Sequence, residues 1–115
     1  MRLVLASALA VVVLVSGASI KGVAYTDIVG STFSCGSWTS ERNQHTFLEL
    51  QMTWWIYGFL SGVGFRGSQF GEDPLAGTDG AGVRGWFDLY CAAHPLDRIP
   101  QAAAQFVYQH PRRSD

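Results

Sequence analysis

Two cysteines, Cys35 and Cys91, stand in this 115-residue chain with no third to compete for either. In an oxidising compartment such a pair is expected to close into a disulfide. Joining residues so far apart restricts the unfolded chain by about 4 kcal/mol, which is comparable to the whole stability of a small domain. A free reactive thiol or a metal pair would need a CxxC or a Cys/His cluster beside it, and the sequence has neither.

The start of the chain supplies the compartment. Met1-Arg2 is a short positive segment, and Leu3 to Val15 is unbroken apolar and small residues. Ser16-Gly17-Ala18-Ser19 then breaks the run. This is the order of a secretory signal. The run is shorter than the roughly 20 residues that cross a bilayer core. Cleavage is expected after Ala18 or Ala24, with Ala24 adopted here. The expected organisation is a signal peptide over 1–24 and a single helical domain over 25–115, its core at about 33–110. The expected location is periplasmic or secreted, with no integral membrane segment after cleavage.

Loss of residues 1–24 removes Arg2 and Lys21, leaving six basic against nine acidic residues, a net charge of −3 and no lysine. That composition offers no electrostatic footprint for nucleic acid. Adjacent basic residues occur at Arg112-Arg113 in the tail.

No strand-like alternation of any length and no internal repeat is apparent, so the spacing predicts an all-α fold, a small bundle of three to four helices with one disulfide. Tyr25 to Ser34 reads as an extended lead-in. Ser37 is expected to cap a short helix reaching Arg42. Thr46 and Glu49 fit a capping box for the second helix. Apolar residues surround that helix, implying burial on more than one side. Gly58 and Gly62 with Ser61 form a small-residue stripe on which another helix could pack closely. Gly64 to Thr78 reads as a glycine-rich loop, a kind of segment that often carries function. Asp79 is expected to cap a third helix running to about Ala93, which Pro95 ends. Asp97 is expected to cap a fourth, with Pro100 in its first turn.

Candidate chemistry is sparse. Gly62-Val63-Gly64-Phe65-Arg66-Gly67 matches GxGxxG, but a dinucleotide fingerprint needs a strand before it and a helix after it. Glu72, Asp73 and Asp79 could approach one another, yet the simpler reading has Asp73 turn the loop and Asp79 cap a helix. His45, His94 and His110 make no ligand pattern, and Ser61, Asp88 and His94 lack the elbow motif of a hydrolase. The expectation is a non-enzymatic protein with no metal and no cofactor. Aromatic side chains exceed what short helices need for a core. Phe65 and Phe70, at the edges of the expected loop, together with Asp73 are the candidate contacts for a protein partner. A homodimer is also allowed.

Cys35 near a helix start, Trp54-Trp55 on an aromatic helix, an acidic loop, and Tyr90-Cys91-Ala92-Ala93-His94-Pro95 resemble the HdeA/HdeB-like periplasmic acid-stress chaperones. The resemblance runs through scattered anchors over residues 33–107. It implies an exported helical domain with one disulfide that protects other proteins in acid. The glycine-rich loop and the absence of lysine after residue 24 depart from that family. The stretch Trp55-Ile56-Tyr57-Gly58-Phe59-Leu60-Ser61-Gly62 is similar to the aromatic-x-x-Gly-x-x-x-Gly helix of small periplasmic immunity proteins of type VI secretion. That likeness implies an inhibitor of one cognate partner. A third expectation is an accessory component of an envelope complex.

Overall fold

The computed structural model describes residues 26–111. The expected signal peptide and Arg112-Arg113 lie outside the described residues. Four helices follow a short 3-10 turn at Gly30–Thr32: α1 Cys35–Glu41, α2 Phe47–Ser68, α3 Gly80–Ala93 and α4 Ile99–Gln109. The domain is a small all-α bundle. α1 packs on α3 and α2 on α4, and α1 also meets α2 and α4.

The first three α-helices begin where a side-chain oxygen accepts a free backbone N–H, and two of the expected caps are displaced. Ser34, not Ser37, caps α1: its side chain accepts from the Ser37 N–H at 3.0 Å. The helix therefore starts one turn earlier, at Cys35. Thr46 caps α2 as expected, accepting from the Glu49 N–H at 3.2 Å. The reciprocal half of that capping box is absent because the Glu49 carboxylate is spent on arginines across the bundle. Asp79 caps α3, accepting from the Gly82 N–H at 2.8 Å. Arg98, not Asp97, precedes α4, where Gln101 Oε1 accepts from the Arg98 N–H at 2.7 Å. Asp97 is occupied elsewhere, as acceptor for the Tyr90 hydroxyl at 2.6 Å.

The lead-in is not simply extended. After its 3-10 turn it forms a single antiparallel bridge between Ser34 and Arg98. Cys35 N–H donates to Asp97 O at 2.8 Å and Ile99 N–H to Phe33 O at 3.0 Å. Beside this bridge Cys35 and Cys91 form the disulfide, their Cα atoms 4.7 Å apart. The start of α1 and the end of α3 thus meet at one pole, as the cysteine pair implied, and the bridge brings the start of α4 there as well.

Helices α3 and α4 end alike. Tyr90-Cys91-Ala92-Ala93-His94-Pro95 and Phe106-Val107-Tyr108-Gln109-His110-Pro111 share the pattern aromatic-x-x-x-His-Pro. In each, His Nδ1 contacts the carbonyl four residues back, Tyr90 O at 2.9 Å and Phe106 O at 2.6 Å. A carbonyl only accepts, so Nδ1 carries the proton in both. The rings stack on the aromatic of the same turn, with centroids 4.2 Å and 4.1 Å apart. The imidazole reaches back to a carbonyl of the last turn, which at Tyr90 also accepts the His94 backbone N–H, and the following proline prevents continuation.

The core gathers Trp38 of α1, Met52, Ile56 and Leu60 of α2, Val83 and Phe87 of α3, and Ile99, Ala102, Ala103 and Phe106 of α4, with the cystine among them. Tyr90 packs at its margin, where burial, the hydrogen bond to Asp97 and that residue's charge push its hydroxyl up to about 12. The ordinary value is about 10. A raised folded value means the neutral hydroxyl stabilises the fold fully below pH ~10, and that contribution is lost as pH climbs through ~12. Urea midpoints followed across that window are expected to fall for the wild type. Tyr90→Phe should abolish this part of the decline and start from a lower plateau.

Candidate functional site

Helix α2 is where sequence and structure part most. It continues through the expected loop start and ends at Ser68, so Gly64, Phe65, Arg66 and Gly67 are helical and the loop begins at Gln69. The reason is packing rather than propensity. A Cβ at Gly67 would lie 2.2 Å from Glu72 O, and one at Gly64 would lie 2.6 Å from Asp73 Oδ1. These glycines let the returning chain lie directly on the helix instead of breaking it. The reversal itself falls on Gly71, at φ 70°, and Gly77, at φ 77°, values in the left-handed region that glycine tolerates.

The second difference concerns burial. An apolar-all-round helix was expected to be covered on more than one side, yet one flank of α2 is open. Phe47 is 74% exposed, Leu50 49%, Trp54 65% and Phe65 77%. At 100° per residue these four fall on one face, together with Gly58 and Ser61. A Cβ at Gly58 or Gly62 would meet nothing within 4 Å. Among the described residues no helix occupies the small-residue stripe. From Phe47 to Phe65 the face is an apolar ridge about 27 Å long with a notch at its middle, and from Leu50 to Phe65 the helix has no charged residue. Monomeric soluble proteins rarely leave contiguous apolar patches larger than a few hundred Å2.

Of the partner residues read from the sequence, Phe65 belongs to this ridge and Phe70 lies just beyond it, exposed, with the Arg66 guanidinium 5.0 Å from its ring centre. Asp73 does not join them. Its Oδ1 accepts from the Leu75 N–H at 3.0 Å, and the carboxylate lies against the α2 backbone at Gly64, holding the turn. Phe47, Leu50 and Trp54 were missed as surface. The absence of charge from Leu50 to Phe65, at the same face as the glycine pair, is the signal that marks them.

At the N-terminal end of the ridge lies a recess of about 510 Å3 lined by His45, Phe47, Glu49, Leu50, Thr53 and Arg84 among others. Glu49 is 6% exposed. Its carboxylate receives Arg84 of α3 and Arg42, the residue that ends α1, the latter at 3.5 Å, with His45 Nδ1 at 3.8 Å. Arg42 also reaches Asp88 at 2.9 Å, and Asp88 accepts from Trp38 Nε1 at 2.9 Å. One carboxylate therefore neutralises cations from two other elements. Removing one partner of a buried ion pair typically costs 3–5 kcal/mol, less where the cations keep water. Glu49→Gln is accordingly expected to lower unfolding free energy by about 1–3 kcal/mol, measured by urea denaturation at neutral pH.

Ser61, Asp88 and His94 are not brought together as a set. Asp88 is engaged by Trp38 and Arg42, His94 by Tyr90 O, and Ser61 stands on the open ridge. GxGxxG lies inside α2, without the preceding strand. Among the described residues no group of three or more His, Cys, Asp or Glu is placed to hold a metal, and no helix is long and apolar enough to cross a membrane. Fold and site together define a disulfide-closed four-helix domain with one uncovered apolar flank. No protein-family model, curated protein or solved structure matches the chain.

Proposed function

We propose that this chain is a small exported protein-binding module that docks through the outer ridge of α2. The observation that carries the reading is the uncharged apolar flank that bears Trp54, on a helix whose opposite side supplies Met52, Ile56 and Leu60 to the core. Rigid aromatic anchors on a helix face are what protein interfaces use most heavily. The cysteine pair and the signal-like first residues support an exported role.

Between the two likenesses in the sequence, the open ridge favours a constitutive binder of the immunity or inhibitor kind, because the surface is available in the closed, folded domain. Trp54→Asp is the test. Wild-type protein should capture one dominant partner from an envelope extract, and the variant should lose it while melting like the wild type. Equal capture by both would remove the ridge from the function.

A second reading rests on Glu49. Protonating that carboxylate in acid would leave Arg42, Arg84 and His45 facing one another without a counter-charge, loosening α1, α2 and α3 while the disulfide holds their far ends. Such a device suits the acid-protective role that the chaperone likeness implies. Light scattering of an aggregating client in acid distinguishes the two: suppression by this protein supports the second reading, and none excludes it.

A further inference from the structure

The ridge has an internal symmetry that its role as a docking surface does not require. Trp54 and Phe65 stand equally far from the midpoint between Phe59 and Leu60, and so do Gly58 and Ser61. All four lie on the same face of α2 and are exposed. Read in either direction, the face presents a large ring, a small residue, a small residue and a large ring. A surface with that order is complementary to itself under a two-fold rotation, which is the requirement of an isologous contact.

Resting on the reading of the ridge as a docking face, we propose that its occupant is a second copy of this chain, the two α2 helices running antiparallel about a two-fold axis at the Phe59–Leu60 step. In that arrangement Trp54 of each copy meets Phe65 of the other. Gly58 faces Ser61 at the crossing, where the lack of bulk lets the helix axes approach to the ~8 Å end of the usual range. No like charges are brought together, because α2 has none from Leu50 to Phe65. The extent also suffices. Rings of this size bury roughly 150–250 Å2 each when covered. At their observed exposures Leu50, Trp54 and Phe65 supply on the order of 400 Å2 per copy. With the exposed flanking residues Gln51, Ser61, Gly62 and Ser68, the face approaches the ~800 Å2 per partner of a stable interface. Docking of a different protein then competes with self-pairing, and its apparent affinity depends on this chain's own concentration.

Gly58→Leu separates this arrangement from a fold defect, since a Cβ there meets nothing within 4 Å in the isolated domain. Size exclusion with light scattering on the oxidised wild-type chain should give a dimer mass at high concentration. Gly58→Leu should weaken self-association on the order of 30-fold or more, a hot-spot-sized effect, with an unchanged cooperative melt. Trp54→Asp should do the same. A wild type that stays monomeric at every concentration overturns the pairing, as does a dimer that survives both variants. Neither outcome touches the ridge as a docking face, which fails on the separate finding that Trp54→Asp captures the extract partner as well as the wild type does.

Discussion

The double variant Cys35→Ser/Cys91→Ser is expected to lose about 4 kcal/mol of unfolding free energy relative to the oxidised protein. The two positions are 56 residues apart in sequence, so the bond removes a large share of the conformations open to the unfolded chain. It also sits where three elements converge, α1, α3 and the start of α4. A domain of this size holds only 5–15 kcal/mol in total, so the variant should approach unfolding at body temperature. Urea midpoints of the oxidised wild type, the reduced wild type and the double variant measure it. The latter two should agree, and a midpoint barely moved by reduction would mean that the helices hold one another without the bond.

Trp38→Ala is expected to cost about 3–5 kcal/mol. Trp38 is fully buried in α1, its ring centroid 5.8 Å from that of Phe87 on α3. The loss has two parts. The cavity removes contacts from the centre of the core. The missing Nε1–H also takes one of the donors from Asp88, which keeps Arg42. Trp38→Phe restores most of the volume and none of the hydrogen bond, so it should recover more than half of the cost. Equal destabilisation by both variants would show the indole N–H, rather than ring volume, to be the larger contribution.

The helical order, the Thr46 and Asp79 caps, the stop before Pro95 and the covalent tie are legible from local chemistry, because each depends on residues close in sequence or on the uniqueness of the cysteine pair. What was hidden depends on residues far apart. Ser34 outcompetes Ser37 as a cap because the bridge to Arg98 fixes the chain ahead of α1. Asp97 is drawn away from α4 by Tyr90. The glycines at 64 and 67 read as loop until the returning segment is seen lying on them. The ridge was obscured for a related reason: Phe47, Leu50, Trp54 and Phe65 look like core in a one-dimensional pattern, and only the position of the other helices shows them exposed. The candidate site was half-read, with Phe65 and Phe70 found on the surface and Asp73 drawn into the turn.

The paired histidine stops make two helix ends self-contained. Here α3 and α4 each fold a ring back over their own last turn, and a proline follows. Neither end depends on a neighbouring molecule for its closure. In the pairing proposed above, the two-fold contact uses each ridge once, so its product is a closed dimer rather than a polymer.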